Sequence, residues 1–236
     1  MLDFRGRQVK INLENINYYF LTCNNPTRKE HILKEFKNYK LTEVNPIMNI
    51  GKYKSTTTGF SRILDLVCQN QDKNKPFNPF VIFEDDVKKY REFPSEIEIP
   101  NDTDILYIGL STWGMTNTQI GVNNAVRFKN IDKDIIKVYN MLAFHGIIIC
   151  SMRGLLAIQK CMLESYFKSV VYDIFTSQIQ PYINAYALKI PLVYQNHCVG
   201  GRESATKINY DNIKEKELPN EWKNTTNISI ITNFNS

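Results

Sequence analysis

The sequence has no long hydrophobic run and no block of basic residues. None of its apolar stretches approaches the ~20 residues that a membrane-spanning helix needs, and residues 1–10 are too polar and charged for a signal peptide. The net charge of +5 comes from scattered Lys and Arg side chains, without the aromatic-interleaved basic stripe of a nucleic-acid binder. These absences predict a cytoplasmic protein with no membrane span and no nucleic-acid partner.

Cysteine is also sparse. The five cysteines are odd in number and far apart, and no pair has the CxxC spacing that is typical of zinc sites. Most of them lie in apolar segments, which favours buried, reduced thiols over a disulfide framework.

What the chain does contain is enough apolar material for a core. With 236 residues, of which 43% are hydrophobic and 12% aromatic, it can bury a large core as one domain. We place this domain at residues 1–209. Residues 210–236 are polar, Asn-rich and weakly periodic, so we expect a mobile tail there.

Alternating strand and helix signals predict an α/β fold with a central mixed, mostly parallel sheet flanked by helices. Residues 16–23 predict the first strand, and Asn25 followed by Pro26 predicts the start of a helix. A strand, short loop and helix open a nucleotide-binding βαβ unit, which places Thr27 and Arg28 where backbone N–H groups favour an anion. The alternative for Arg28 is a solvated residue in the first helical turn.

Hydrophobic periodicity predicts the later elements. Further strands are expected at 41–48, 104–110, 146–150 and 191–194, with an antiparallel pair between 125 and 141. Residues 55–58 are expected to cap one helix. Asp173 is expected to cap another, which reaches about Leu188 and is kinked or split at Pro181.

The most distinctive stretch is the apolar run at 79–83, which ends in the consecutive acids Glu84, Asp85 and Asp86. A buried strand does not carry carboxylates without a counter-charge, and ligands of open α/β sheets bind beyond the carboxyl ends of the strands. Side-chain alternation predicts Glu84 and Asp86 on one face and Asp85 on the other. Hard carboxylate oxygens favour Mg²⁺ or Mn²⁺ holding a phosphate. The alternative is acids that face water or cap the next helix.

The order of these parts resembles the GT-A glycosyltransferases, and specifically glycosyltransferase family 25, which includes lipopolysaccharide and collagen galactosyl- or glucosyltransferases. The resemblance covers residues 16–204 and is carried by VIFEDDV (81–87), DILYIGL (104–110), FHGIIICS (144–151) and PLVYQ (191–195). It implies a single GT-A-like, Rossmann-related domain that transfers a hexose from UDP-glucose or UDP-galactose to a glycan or protein hydroxyl. It also implies Mn²⁺ or Mg²⁺ as the cofactor.

The resemblance implies donor-side roles for several residues. Asp86 would be the direct metal ligand, with Asp85 beside it. Asp85 and Glu84 would contact the ribose or the donor sugar, and Thr27 or Arg28 would contact the nucleotide.

Three further residues receive roles near the reacting groups. Asp173 would be the catalytic base that takes the proton of an acceptor hydroxyl and gives inversion, or else only a helix cap. His197 would be a third metal ligand, although a lone His is more often structural. His145 occupies the place of a family histidine near the acceptor, with a core residue as the alternative.

Two residues are candidates for loops that cover the site. Trp113 follows a strand end and is placed to stack on a sugar face, or else it anchors a loop on the core. Arg202 lies in a Gly-containing segment that is either a flap over the diphosphate or an ordinary surface loop. Two other classes of function use the same residues: a non-catalytic sugar-nucleotide or glycan binding protein, and a metal-dependent phosphoryl-transfer enzyme.

Overall fold

The structure is a computed structural model that describes residues 8–22, 24–72, 74–111, 113–115 and 124–196. The site candidates His197 and Arg202 and the expected tail at 210–236 lie outside these residues.

Four α-helices lie in the described part of the chain. They are α1 (Pro26–Glu35), α2 (Lys52–Asn70), α3 (Met152–Lys168) and α4 (Tyr172–Ile179), and a 3-10 turn at Gln180–Tyr182 follows α4. None of these helices is both long and apolar enough to cross a membrane.

Fourteen strands are present in the same described residues. They are β1 (Gln8–Asn12), β2 (Asn17–Leu21), β3 (Leu41–Val44), β4 (Phe80–Glu84), β5 (Val87–Lys89), β6 (Glu96–Pro100), β7 (Ile105–Tyr107), β8 (Trp113–Gly114), β9 (Asn124–Ala125), β10 (Phe128–Asn130), β11 (Ile135–Val138), β12 (Gly146–Ile149), β13 (Ala185–Leu188) and β14 (Val193–Gln195).

Eight of these described strands form a central mixed sheet in the order β10-β11-β13-β7-β12-β4-β2-β3. Strands β11 and β12 run antiparallel to their neighbours, and the other six point in one direction. The predicted α/β fold with a mixed sheet and flanking helices is confirmed. Because β2 and β4 are adjacent and parallel, their carboxyl ends meet at one edge of the sheet.

Side chains alternate along the buried strands, so each strand has an apolar surface on both faces of the sheet, and helices cover both. Tyr19 of β2 and Ile82 of β4 face a core shared with α2 and α3. Tyr18 and Phe83 face the opposite core, which is shared with α1 and with the antiparallel pair of β1 and β6. The acid-tipped strand β4 is therefore held between two hydrophobic layers, as its continuous apolar run predicts.

The predicted start of α2 is wrong. The helix begins at Lys52 after Gly51, whose φ of 98° turns the chain, and no side chain caps it. Ser and Thr residues at 55–58 lie inside the helix instead. The hydroxyl of Thr57, for example, donates to the carbonyl of Tyr53 one turn earlier and contacts Ser165 of α3.

The helix predicted from Asp173 is present and breaks at Pro181, as predicted, but its continuation to Leu188 is wrong. Helix α4 ends at Ile179, and Pro181 lies in the 3-10 turn that follows, because proline has no N–H to continue the α-helical bonds. Residues 185–188 form β13, a buried strand between β11 and β7. The packing of this central position overrides the apparent helical pattern.

The ends of the described chain also differ from the sequence expectation. Strand β1 lies in a segment where no strand was predicted, and it pairs with β6. The last predicted strand is present as β14, but it pairs with β5 outside the central sheet. The thiols of Cys68, Cys150 and Cys161 are free, as predicted for these three described cysteines.

Candidate functional site

The three consecutive acids lie at the carboxyl end of β4, where Asp85 and Asp86 are buried and Glu84 is half-buried. Glu84 is the last residue of the strand, and Asp85 and Asp86 form the turn that leads into β5. Asp85 is 5% exposed and Asp86 is 4% exposed, so the alternative of water-facing acids is wrong. A strand rather than a helix follows them, so they do not cap a helix either.

Because the strand ends at Glu84, the turn and not the pleat sets the directions of the two aspartates. The guanidinium of Arg28 reaches both of them: Nη1 lies 3.1 Å from Oδ1 of Asp85 and 3.6 Å from Oδ2 of Asp86. Side-chain alternation predicted Asp85 and Asp86 on opposite faces of the strand, but both contact the same guanidinium nitrogen.

Arg28 is held at the start of α1 by the local sequence. Asn25 is the N-cap, its side chain accepts a hydrogen bond from the backbone N–H of Arg28, and Pro26 occupies the first turn, as predicted. The Arg28 side chain is 24% exposed, so it is not the solvated residue of the alternative interpretation. Thr27 is exposed beside it, and its role as a nucleotide contact stays a prediction.

Glu84 is braced by two residues that the sequence reasoning missed. The phenol of Tyr172 donates a hydrogen bond to one carboxylate oxygen, and Nε2 of Gln195 donates to the other at 2.8 Å. Gln195 also bonds to Asp86. Only their positions in the sequence pointed to these two residues: Tyr172 precedes the candidate base, and Gln195 ends the PLVYQ segment. Since both Glu84 oxygens already have protein donors, its contact with a donor sugar stays a prediction.

Asp173 enters the same cluster from α4. Val171 occupies the N-cap position without a side-chain hydrogen bond, and Asp173 lies in the first turn, so the capping interpretation of Asp173 is wrong. Its Oδ1 atom is buried and has no hydrogen-bond partner among the described residues. Its charge acts on the neighbouring Glu84.

The electrostatics of the cluster raise the pKa values of Glu84, Asp86 and Asp173. Burial raises the pKa of Glu84 well above its usual range, and the negative charges of Asp86 and Asp173 raise it further. Burial also raises the pKa of Asp86, although the charge of Arg28 opposes the change. Burial raises the pKa of Asp173 to about 7. Strongly raised carboxyl pKa values in one cluster are typical of functional sites.

Two of the carboxylates have oxygens that a cation or ligand can use. Oδ1 of Asp86 and Oδ1 of Asp173 are buried without a hydrogen-bond partner in the described residues, as is the hydroxyl of Thr22, which directly follows β2. Thr22 lies beside the acids because Leu21 and Glu84 are paired across β2 and β4. Buried polar atoms without partners are uncommon in native structures.

The donor set fits Mg²⁺ or Mn²⁺ only where substrate oxygens complete the shell. Within the described residues, no three His, Cys, Asp or Glu side chains are grouped closely enough to hold a metal ion by themselves. Mg²⁺ commonly binds through one or two carboxylates together with phosphates and water, which agrees with the buried Oδ1 of Asp86. His197 lies outside the described residues. Its neighbour Asn196 donates its backbone N–H to the carbonyl of Asp86 at 2.8 Å, so the chain approaches the acids at this point.

His145 has the surroundings of a core residue. It is 3% exposed, and its burial lowers the pKa of the imidazole to about 4, so the ring is neutral near pH 7. The ring packs against Gly109, where an added Cβ would lie 2.3 Å from Nε2. The backbone carbonyl of His145 accepts from the N–H of Glu84 at 3.2 Å, so it supports the acid-tipped strand. A cofactor contact by its ring stays a prediction.

Trp113 is part of a short strand rather than a loop. It pairs with Ala125 of β9, and its backbone carbonyl accepts from Leu142. The side chain is 44% exposed, so it is not an anchor buried in the core. Stacking of its indole on a sugar stays a prediction.

Comparison with known proteins found solved structures of low similarity. No protein-family model matches the sequence, and no curated protein matches it either. The protein A197 from STIV is 12% identical, with 84% of this chain and 98% of that chain covered and a TM-score of 0.39. The CTP:phosphocholine cytidylyltransferase LicC from Streptococcus pneumoniae is 8% identical, with 79% and 94% covered and a TM-score of 0.40. At these TM-scores neither likeness assigns a family or an activity, and the resemblance to glycosyltransferase family 25 stays a prediction.

Proposed function

We propose that this chain is a metal-dependent glycosyltransferase that moves a hexose from UDP-glucose or UDP-galactose to a hydroxyl group of a glycan or protein. The observation that carries the proposal is the buried cluster at the carboxyl end of β4. There Asp86 and Asp173 each have a buried oxygen without a partner in the described residues, and Arg28 supplies a positive charge.

The donor half of the site consists of Arg28, Asp85 and Asp86. Arg28 is positioned at a helix N-terminus, where a diphosphate is also favoured by backbone N–H groups. A divalent cation held by Asp86, with Asp85 beside it, would stabilise the negative charge that develops on the departing diphosphate. The guanidinium of Arg28 acts on the same charge from the protein side.

The acceptor half centres on Asp173. The acceptor oxygen attacks the anomeric carbon, the bond from that carbon to the diphosphate oxygen breaks, and the hydroxyl proton passes to the Asp173 carboxylate. Burial raises the pKa of Asp173 to about 7, and a general base is most effective when its pKa lies near the working pH. A single in-line displacement of this kind inverts the configuration of the sugar.

A thermal-shift panel of nucleotide sugars with and without Mn²⁺, followed by transfer assays, tests the proposal. Ligands that bind the folded state raise the unfolding temperature according to their concentration over Kd. We expect a shift from UDP-glucose or UDP-galactose that requires Mn²⁺, and Asp86→Asn should remove it. An unchanged shift in that variant would remove the metal from the proposal.

The transfer assay separates the other classes of function. Binding without donor hydrolysis or transfer to any acceptor would favour a sugar-nucleotide binding protein. Metal-dependent cleavage of phosphodiesters without preference for sugar nucleotides would instead favour a phosphoryl-transfer enzyme.

A further inference from the structure

Arg28 already holds the position of a counter-cation for the acid pair. One guanidinium nitrogen lies within ion-pair distance of both Asp85 and Asp86, whose side chains are 7% and 6% exposed. Two adjacent buried carboxylates repel each other and lose their hydration, so a partner charge is needed for both to ionise. In the structure Arg28 provides that charge.

Arg28 in this position disfavours the binding of a second cation. A divalent ion at Asp86 would be close to the positive guanidinium, and like charges repel strongly where water is partly excluded. A diphosphate changes this balance. Its oxygens match the planar fork of Arg28, which forms stronger paired hydrogen bonds to phosphate than a lysine does.

The placement of Arg28 in the helix allows an exchange of partners. Its backbone is fixed by the hydrogen bond from its N–H to Asn25, whereas its long side chain extends from the first turn of α1 and remains 24% exposed. The side chain can therefore rotate between neighbouring anions without unfolding the helix.

We infer that Arg28 makes metal binding conditional on the diphosphate: it neutralises Asp85 and Asp86 in the ligand-free protein and shifts to the diphosphate when a divalent cation occupies the acids. This inference rests on the proposed function for the identity of the diphosphate ligand. It makes Arg28 a residue that sets the order and cooperativity of binding, in addition to a nucleotide contact.

If metal binding depends on the diphosphate, UDP must increase the affinity for Mn²⁺, and this increase can be measured. Each ligand must raise the affinity for the other by the same factor, and coupling of this kind commonly amounts to ~5- to 150-fold. For the wild-type chain we expect Mn²⁺ alone to bind weakly, and UDP to tighten Mn²⁺ binding to the protein by ~10-fold or more.

The test measures Mn²⁺ binding by electron paramagnetic resonance, with no reaction involved. Arg28→Gln should tighten the binding of Mn²⁺ alone by ~5-fold or more and weaken the coupling to UDP. Arg28→Lys keeps the charge but loses the fork, so binding of Mn²⁺ alone should stay weak while the coupling falls. Unchanged or weaker binding of Mn²⁺ alone by Arg28→Gln, including no binding, overturns the inference.

The adjacent Lys29 offers a matched control. It lies on the same helical turn and forms an ion pair with Glu43 at 2.6 Å, outside the acid cluster. Lys29→Gln removes one positive charge from the same helix and should leave both Mn²⁺ affinities unchanged. A gain equal to that of Arg28→Gln would indicate a general charge effect and overturn the inference.

Folding and function are separated by further readouts. Circular dichroism and thermal unfolding establish whether each variant is folded. If Arg28→Gln is not folded, Arg28→Lys is used instead. Coupling between UDP and Mn²⁺ binding as strong as in the wild-type chain would then overturn the inference. Tighter binding of Mn²⁺ alone without use of any UDP-sugar would support the charge exchange and contradict the proposed function. Sugar transfer together with unchanged Mn²⁺ binding in Arg28→Gln would support the proposed function and contradict the charge exchange.

Discussion

Buried aspartates lie at opposite ends of the strands of the central sheet, Asp104 at the amino ends and Asp86 at the carboxyl ends. The two sites differ in how completely the carboxylate oxygens are hydrogen-bonded. Asp104 precedes β7, at the amino ends of the strands that point in the common direction. It accepts hydrogen bonds from the hydroxyl of Ser151 at 2.6 Å, from Nε of Arg153 at 2.9 Å and from the backbone N–H of Asn184 at 2.8 Å. At the other edge, Oδ1 of Asp86 is buried without such a partner in the described residues.

The difference separates a structural carboxylate from a candidate functional one. Asp104 joins three elements, since Ser151 caps α3 and Asn184 leads into β13. A buried polar group with all its bonds made stabilises the fold, whereas one with a missing bond costs free energy unless a ligand supplies the partner. The edge at β4 therefore has the incomplete bonding that a ligand site requires, although both clusters contain an arginine.

The largest effect is expected at the structural cluster. Asp104→Ala would leave Arg153, the hydroxyl of Ser151 and the N–H of Asn184 without their acceptor. Arg153 is half-exposed and can be solvated by water, but each buried donor left without its acceptor commonly costs about 1–3 kcal/mol, so the free energy of unfolding should fall by about 2–4 kcal/mol. Urea denaturation measures it. A loss within about 0.5 kcal/mol, as for ordinary surface changes, would contradict the structural role.

The next largest effect is expected on catalysis at the other edge. Asp173→Asn keeps the shape of the side chain but cannot accept the acceptor proton, so transfer should slow by ~10²-fold or more. UDP binding in the presence of Mn²⁺ should stay within about twofold, because Asp173 belongs to the acceptor half. A wild-type rate in single-turnover transfer would remove Asp173 from the reaction.

Local sequence patterns were sufficient for the parts of this site that depend on neighbours in the chain. The apolar run that ends in acids predicted a buried strand and its charged tip, and Asn25 with Pro26 predicted where α1 begins. In both cases the physical cause, burial of a strand or capping of a helix, operates within a few residues.

The pairwise contacts in the cluster are long-range, and residue patterns did not predict them; only the family resemblance placed Arg28, the three acids and Asp173 in one site. Arg28 and Asp85 are 57 residues apart in the chain, and Tyr172 and Glu84 are 88 apart. They meet because β4 lies between β2 and β12, an order that residue patterns within one segment do not specify. The position of Asp173 was misassigned for the same kind of reason. An aspartate near a helix start is a common cap, and the structure shifts the start by two residues.

A smaller effect should appear in the pH dependence of stability. Burial raises the pKa of folded Asp173 to about 7, while an unfolded Asp titrates near ~3.9. Between these values the folded state keeps a proton that the unfolded state has released, so stability falls as pH rises and levels off above about 7. We expect the free energy of unfolding to fall by about 1 kcal/mol from pH 6 to pH 8.

Denaturation of Asp173→Asn provides the control for this pH dependence. The variant lacks the titrating group and should lose the share of the slope due to Asp173. Glu84 and Asp86, whose pKa values burial also raises, should retain a slope of the same sign. An identical slope in the variant and the wild-type chain would show that Asp173 does not titrate in this range.

The smallest effects compare one hydroxyl at each edge. Ser151 caps α3 by accepting from Gly154 N–H and also donates to Asp104, so Ser151→Ala should lower the free energy of unfolding by about 1 kcal/mol. The hydroxyl of Thr22 is buried without a partner in the described residues, so Thr22→Val, which keeps the shape, should change stability by less than about 0.5 kcal/mol or increase it. Both values come from the same denaturation experiment. If Thr22→Val is as destabilising as Ser151→Ala, the Thr22 hydroxyl already has a structural partner. If Thr22→Val leaves stability unchanged but weakens UDP binding, Thr22 belongs to the ligand site together with Asp86.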